Sequence, residues 1–275
     1  MKKITVIICL FLALIGLISI GPGTYESKNT LIVGASNIPH AEILRHVAPQ
    51  LKKEGIKLDI KTFQDYVLPN RALVGKQTDA NYFQTVPFLD TWNKEYNGDL
   101  VDIGPVHLEP MGIYSKKVKK LSDLKNGATI LVSSNAPDYG RIIQLFQQNG
   151  LIRIKKGVKI EQANFSDIAW NPKHLKFKTG YEAKLMPMIY QHNEGDAVAI
   201  NSNYAVQSGL NPDKDAIALQ KASPDSPYNN ILVARKDNQH SRAIKLLMKA
   251  LQSKETQQWI KDKYHGAVLP AGNVK

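Results

Sequence analysis

Hydrophobic and polar residues follow two different periods along the first part of this chain. Residues 31–35 form a short apolar run typical of a buried strand, and apolar residues return at helical spacing through 39–51. Ile56, Leu58 and Ile60 then alternate with polar residues, as in a strand with one buried face. A strand, a helix and a second strand in this order predict a βαβ unit and therefore a parallel sheet.

A second series of strands and helices follows in the rest of the chain. The helix predicted after the strand at 128–132 is closed by Asn149 and Gly150, a common C-terminal capping sequence. This repeated alternation predicts the α/β class of fold. The predicted elements are strands at 100–114, 128–132, 197–200 and 231–234, and helices at 139–148, 241–252 and 254–264.

The two α/β cycles predict two lobes joined by two crossing strands. We expect the chain to enter the second lobe near Gly112 and to return at 229–233. This division assigns residues 24–112 and 234–275 to lobe 1 and residues 113–233 to lobe 2. Ligands of open α/β sheets bind beyond the carboxyl ends of the strands. The cleft between the lobes is therefore the predicted ligand site.

Two segments, 79–84 and 107–112, mix aromatic and polar residues where a core strand would be apolar. A core strand has no need of so many side chains that require hydrogen-bonding partners. Both segments are therefore predicted to border a polar cleft lined with aromatic rings.

Arg141 is a candidate ligand for a carboxylate. It lies in the first turn of the helix predicted at 139–148, where the helix dipole disfavours a cation unless an anion joins it. A guanidinium can hold a carboxylate through two parallel hydrogen bonds. The alternative is a surface arginine paired with Asp138. Asn201 and Asn229 are candidates for hydrogen bonds to a ligand, since an amide can both donate and accept; ordinary turn residues are the alternative for both, and the neighbouring Asn230 is a further alternative to Asn229.

The N-terminal 23 residues predict an export leader. Lys2 and Lys3 precede an unbroken apolar or small run at 4–20. Cleavage after Gly23 fits the small residues there, but the run is also at the lower limit for a membrane span, so an uncleaved anchor stays open. Either way the product is predicted in the periplasm or at the outer face of the cell membrane.

Cysteine usage and charge exclude several classes of protein. Cys9 is the single cysteine; it follows Ile8 rather than a small residue, so lipid anchoring through it is not expected. No cysteine remains after the leader for a disulfide, a thiolate metal site or a nucleophile. The formal net charge of +12 is carried by lysines dispersed along the chain, which argues against a nucleic-acid partner.

With these residues in view, the chain resembles the methionine-binding lipoproteins of bacterial ABC importers, the NlpA lipoprotein family. The resemblance implies the two-lobed periplasmic binding protein fold of the type with two crossing strands (type 2). It also implies capture of L- or D-methionine for a membrane permease driven by a cytoplasmic ATPase. No enzymatic activity, cofactor or metal is expected. The stretches that carry the resemblance are 34–35, 39–42, 65–66, 69–73, 79–84, 107–116, 201–205, 225–230 and 266–270.

The resemblance also assigns roles to single residues. Tyr66 and Phe83 are similar to the family's aromatic walls around the methionine side chain, and His107 to its cleft histidine; a structural hydrogen bond is the alternative for His107. Thr85 and Phe88 depart from the family, where histidine and tyrosine are common. These changes leave a methionine-containing dipeptide or another amino acid as alternative ligands.

Two further functions stay open on the sequence alone. A secreted hydrolase or lyase on the same scaffold has little support, because the chain has no GxSxG or HExxH motif and His107 and Glu109 lack a third orienting group. A surface adhesin that has kept the fold and lost the ligand is the other alternative.

Overall fold

The computed structural model describes residues 29–221, 223 and 226–272, so the predicted leader lies outside the described residues. Strands and helices alternate through both halves of this part of the chain. The strands are β1 (Thr30–Ser36), β2 (Lys57–Phe63), β3 (Ala80–Thr85), β4 (Val101–Leu108), β5 (Gly112–Tyr114), β6 (Thr129–Ser133), β7 (Arg153–Ile154), β8 (Ile168–Trp170), β9 (Lys176–Tyr181), β10 (Ala197–Ile200), β11 (Ala218–Leu219), β12 (Asn229–Ala234) and β13 (Leu269–Pro270). The helices are α1 (Glu42–Lys53), α2 (Leu68–Val74), α3 (Val86–Tyr96), α4 (Tyr139–Gln148), α5 (Met186–Gln191), α6 (Ser202–Gln207), α7 (Pro212–Asp215), α8 (Arg242–Leu251) and α9 (Lys254–Tyr264).

The first sheet has six strands in the order β13-β4-β12-β3-β1-β2. Strand β1 pairs in parallel with both β2 and β3, so the predicted βαβ unit is confirmed. Strand β12 is antiparallel to both of its neighbours, β3 and β4. It is the strand that returns to this sheet after the chain has built the second one.

The second sheet has five strands in the order β11-β5-β10-β6-β9. Here β6 is parallel to β9 and to β10, and β5 is antiparallel to β10. Each sheet thus has an antiparallel strand that directly follows a crossover from the other sheet: β5 after residues 109–111 and β12 after the segment that follows β11. Two lobes joined by two crossing strands are the architecture that the sequence predicted.

Sheet membership bears on where the lobes are divided. Strand β12 pairs within the first sheet over its whole length, including residues 229–233, which the predicted division assigns to lobe 2. We propose that the second limit be drawn before Asn229. The strand predicted at 100–114 is divided between the two sheets, as β4 and β5. Pro110 lies in the gap, and proline cannot donate a ladder hydrogen bond.

Each lobe has its own hydrophobic core. In lobe 1 the apolar stripe of α1, with Ile43, Leu44 and Val47 fully buried, packs with α8 and α9 against the first sheet. In lobe 2, Ile143 and Phe146 of α4 are buried with the apolar residues of β6 and β10. Burial of one such side chain stabilises the fold by about 1.5–3 kcal/mol. Two separate cores leave the polar surfaces between the sheets available for a site.

The helix predicted at 39–51 is observed as α1 from Glu42; it is preceded by a wider turn at Asn37–Ala41, within which Ile38 has extended backbone angles. The elements α2, α3, α5, α6, α7, β7, β8, β9, β11 and β13 were not predicted; all of them except α3 have seven residues or fewer. In residues 29–221, 223 and 226–272, no helix has the length and apolar character needed to cross a membrane.

Gly140 provides a test of how closely lobe 2 is packed. A Cβ atom at Gly140, in the first turn of α4, would lie 2.1 Å from the carbonyl oxygen of Ile160. Alanine in place of glycine ordinarily stabilises a helix by about 1 kcal/mol. Here we expect Gly140→Ala to lower the free energy of unfolding by about 1–3 kcal/mol, since backbone must move to admit the methyl group.

Urea unfolding measures this change in stability. The control is Gln148→Ala at an exposed position of the same helix, which should change the free energy of unfolding by less than about 0.5 kcal/mol. A Gly140→Ala protein as stable as the wild type would contradict the close approach of α4 to Ile160.

Candidate ligand-binding cleft

A cleft lies between the two sheets, at the carboxyl ends of their strands. Tyr66 follows β2, Thr85 ends β3, Asn135 follows β6 and Asn201 follows β10, as expected for ligand sites of α/β sheets. Of the six predicted site residues, Tyr66, Phe83, Arg141 and Asn201 lie together here. We define the inner cleft by its lining residues: Tyr66, Phe83, Gln84, Thr85, Phe88, Glu109, Asn135, Asp138, Arg141, Asn201, Asn203 and Asn230.

A wider space, the outer chamber, continues from the inner cleft. Tyr66, Phe88 and Asn135 line both spaces, so the two are contiguous. The outer chamber is bounded by exposed apolar residues of lobe 1 and polar residues of both lobes. Its other lining residues are Asp65, Val67, Leu68, Thr91, Trp92, Glu95, Tyr96, Ser134, Ala136, Pro137, Glu182, Ala183, Lys184 and Tyr204.

Three rings form one wall of the inner cleft. The ring centroids of Tyr66, Phe83 and Phe88 are 5.7–6.2 Å apart, and the Phe88 ring stands edge-on to the other two. The Tyr66 hydroxyl donates to Oδ1 of Asn203 at 2.8 Å, which links the wall to lobe 2. Such a wall suits an apolar or thioether side chain, since sulfur makes favourable contacts with ring edges.

Arg141 is buried in the cleft and paired with Asp138. The side chains are 4% and 3% exposed, and Asp138 Oδ1 accepts from Nε at 2.8 Å and lies 2.6 Å from Nη2. Nη1 donates to the carbonyl oxygen of Glu109 at 3.2 Å. The predicted pairing with Asp138 is present, but at a buried position rather than on the surface. A guanidinium has five N–H groups, so these contacts leave donors for a carboxylate.

Asp138 is a functional candidate that the sequence considered only as a partner of Arg141. Its Oδ2 accepts from Nδ2 of Asn135 at 2.5 Å and from Nδ2 of Asn201 at 2.8 Å. One buried carboxylate therefore fixes an arginine and two amides at the same edge of the second sheet. The spacing of Asp138 and Arg141 could have indicated a shared role in the sequence, because residues three apart lie on the same face of a helix.

Glu109 connects the two lobes within the first crossover. Its Oε1 lies 2.9 Å from Nε2 of His107 and 3.4 Å from Nε2 of His40, both from lobe 1. Its Oε2 accepts from the backbone N–H of Asn203 at 2.9 Å, and its carbonyl oxygen accepts from Arg141, both in lobe 2. Burial raises the pKa of the Glu109 carboxyl group.

His107 lies behind Glu109 and is not among the lining residues of the inner cleft. It is fully buried; Nδ1 is hydrogen-bonded to the Tyr82 hydroxyl and Nε2 to Glu109. Burial lowers the pKa of His107 to about 3 and that of His40 to about 4, so both rings are neutral at neutral pH. The geometry fits the structural alternative, and a direct ligand role for His107 stays a prediction.

His40, His107 and Glu109 also form a group that could hold a metal ion, with ligand atoms within 4.8 Å of one another. These atoms are already engaged in hydrogen bonds: His40 Nε2 with Asn230 at 2.9 Å and His107 Nε2 with Glu109. We therefore describe the group as a hydrogen-bond network. The prediction that the protein needs no metal stays untested.

Asn230 lines the inner cleft and Asn229 does not. Both begin β12, where successive side chains point to opposite faces of the sheet, so only one of the two amides can face the cleft. The sequence alone does not show which of two adjacent asparagines faces the cleft. The predicted ligand role of Asn229 stays a prediction, and the structure places the alternative residue, Asn230, in the lining of the cleft.

The polar residues of β3 serve mainly a buried network. The amides of Asn70 and Gln84 exchange hydrogen bonds at 2.8 and 2.9 Å, and Asn81 donates to Asn70 at 3.0 Å. Gln84 alone of these three lines the inner cleft. The unusual polarity of this strand therefore supports the wall from behind more than it contacts a ligand.

Two lobes with separate cores, two crossovers and a cleft lined by polar groups of both lobes define a two-lobed solute-binding protein. The family model for NlpA lipoprotein matches residues 31–272, and the chain belongs to this family. The fold class and the family inferred from the sequence are both confirmed.

Named relatives share most of the chain. It is 45% identical over 250 residues to the methionine-binding lipoprotein MetQ of Bacillus subtilis (strain 168), which covers 90% of each protein. A solved structure of a nutrient binding protein from Burkholderia cenocepacia bound to methionine is 36% identical, with a TM-score of 0.81 over 88% of this chain and 100% of that one. An ABC transporter periplasmic substrate-binding protein from Coxiella burnetii is 33% identical, with a TM-score of 0.80 over the same shares.

The buried histidines predict a loss of stability in mild acid. The unfolded chain titrates them near 6.5 and the folded protein near 4 and 3, so below about pH 6.5 the unfolded state binds more protons. The free energy of unfolding should then fall as the pH falls, by up to about 1.4 kcal/mol per pH unit for each histidine. The raised pKa of Glu109 acts in the opposite direction: as the pH falls, the folded state binds the Glu109 proton at a higher pH than the unfolded state does, which stabilises the folded protein.

Urea unfolding between about pH 7 and pH 5 measures the slope. We expect a net loss in the wild type and a shallower slope in His107→Gln, which has one histidine fewer to titrate. Equal stability across this range, or an unchanged slope in the variant, would contradict the assignment of neutral buried rings.

Proposed function

We propose that this protein is the extracytoplasmic binding component of an ABC importer and that it captures methionine in the inner cleft. The observation that carries the proposal is the meeting of Arg141, two carboxylates and three aromatic rings in one buried space. The relative from Bacillus subtilis is named as methionine-binding and that from Burkholderia cenocepacia was solved bound to methionine, which supports methionine as the ligand.

A zwitterionic amino acid needs three kinds of partner when it leaves water. Its carboxylate needs donors, which Arg141 supplies. Its ammonium needs acceptors, and Asp138 and Glu109 lie in the same space. Its side chain needs apolar contact, which the rings of Tyr66 and Phe83 supply. We propose this orientation for both L-methionine and D-methionine.

A methionine-containing dipeptide is a second candidate ligand. The outer chamber is contiguous with the inner cleft through Tyr66 and Phe88, so a ligand longer than one amino acid has room to extend. Phe88 stands at the junction, and Thr85 lines the inner cleft beside it. Both positions carry smaller or less polar side chains than the family's usual residues.

The proposed partners are a membrane permease and its cytoplasmic ATPase, because the Coxiella burnetii relative is an ABC transporter substrate-binding protein. We place the protein outside the cytoplasm, at the periplasmic or outer face of the cell membrane, exported by its N-terminal leader. We do not expect catalysis. The two histidines beside Glu109, His40 and His107, are fully buried, and their Nε2 atoms are hydrogen-bonded to Asn230 and Glu109 respectively.

Calorimetric titration tests the proposed ligand. The leaderless protein, unfolded and refolded to remove any bound molecule, should bind L-methionine, D-methionine or Gly-Met saturably. Absence of binding for all three would contradict the function. Release of free methionine from Gly-Met during the titration would instead support the hydrolase alternative.

Arg141→Ala tests the proposed carboxylate site by the same titration. We expect the binding free energy for L-methionine to weaken by about 2–5 kcal/mol, because the ligand's carboxylate would be buried without its cation. Arg141→Lys should recover part of the loss, since lysine keeps the charge without the bidentate geometry. Gln148→Ala serves as the control on the same helix. Wild-type affinity in Arg141→Ala would remove Arg141 from the site.

A further inference from the structure

Asn203 is a buried residue of the inner cleft with an unused hydrogen-bond donor. The residue lines the cleft and is 2% exposed, and its Nδ2 has no acceptor among the residues that the structure describes. Buried polar groups in folded proteins nearly always have a partner. A donor that lacks one and borders a ligand cleft indicates that the partner is a ligand.

The position of this amide is fixed from two sides. The Tyr66 hydroxyl donates to Oδ1 at 2.8 Å, and the backbone N–H of Asn203 donates to Oε2 of Glu109 at 2.9 Å. With Oδ1 occupied by Tyr66, the remaining end of the amide is the Nδ2 group. Its two N–H bonds are therefore held in place before any ligand arrives.

We infer that Asn203 is a ligand-binding residue whose Nδ2 donates to the carboxylate of the bound amino acid, beside Arg141. The inference rests on the proposed function, because it takes an amino acid as the ligand. Arg141 and Asn203 both contact Glu109, the first at its carbonyl oxygen and the second at its carboxylate. The Asn203 contact is made by its backbone N–H, and both residues line the inner cleft, so we propose that one ligand carboxylate meets the Arg141 guanidinium and the Asn203 amide together.

The charges of the cleft support this choice of ligand group. Asp138 and Glu109 supply acceptors for an ammonium group, whereas Arg141 is the one cationic side chain among the residues lining the inner cleft. Two carboxylates thus stand against one cation among the lining residues. A neutral donor at Asn203 adds to the guanidinium where the ligand's negative charge has to be compensated.

Three substitutions at Asn203 test the inference by calorimetric titration with L-methionine. Asn203→Ala removes the donor and should raise the dissociation constant about ten- to hundredfold, as expected for the loss of a hydrogen bond to a charged group. Asn203→Asp keeps the shape but places a carboxylate against the ligand's carboxylate, so it should bind more weakly than Asn203→Ala. Asn203→Thr keeps a hydroxyl donor and should bind more tightly than Asn203→Ala.

Controls separate loss of binding from loss of folding. Gln148→Ala, an exposed amide in the same lobe, should bind like the wild type. The melting temperature of each ligand-free variant reports whether it folds. If Asn203→Ala does not fold, the affinities of Asn203→Asp and Asn203→Thr for L-methionine are compared with each other, and the inference requires tighter binding by Asn203→Thr.

Two results would overturn the inference alone: wild-type affinity in Asn203→Ala, or tighter binding by Asn203→Asp than by the alanine or threonine variant. The second would mean that the open end of the amide faces the ammonium group. A wild-type protein that binds no methionine contradicts the proposed function itself.

Discussion

The arrangement of the two lobes depends on the burial of one carboxylate, Glu109, in the crossover between the sheets. A carboxylate removed from water must be surrounded by donors or lose its charge. Glu109 obtains its donors from both sides: His107 from lobe 1 and the backbone N–H of Asn203 from lobe 2. Separation of the lobes would expose these donors and the carboxylate together. The same contacts place Arg141 and Asn203 at the inner end of the cleft.

The site is built in two layers with different tasks. The layer that faces the cleft contains Arg141, Asp138 and the aromatic wall, which can contact a ligand. The layer beneath consists of the Asn70 and Asn81 amides and the neutral histidines, whose hydrogen bonds are made within the protein. Hydrogen bonds between buried polar groups restrict the movement of the side chains that make them. The second layer therefore holds the first in position without touching the ligand.

Much of this could be predicted from sequence because it depends on periodicity. The βαβ unit, the helix α4 and the crossover near Gly112 follow from patterns of apolar residues or from the end of a polar segment. Arg141 was predicted because a cation at a helix start is locally unfavourable. The short elements around the second sheet were missed because segments of two to six residues contain too few positions to show a period.

The rest depends on contacts between residues distant in sequence. Whether Asn229 or Asn230 faces the cleft is set by the register of β12 against β3 and β4. Whether His107 meets a ligand is set by Glu109, which covers it. The sequence placed Asn203 only within a polar segment. Its unused donor is recognised from the structure, in which the Tyr66 hydroxyl donates to the oxygen of the same amide.

A crystal structure of the protein with L-methionine tests the central claim most directly. The ligand's carboxylate is expected against Arg141 and Nδ2 of Asn203, its ammonium towards Asp138 or Glu109, and its thioether among the rings of Tyr66, Phe83 and Phe88. A methionine found with its carboxylate towards the outer chamber, or bound outside the inner cleft, would contradict it.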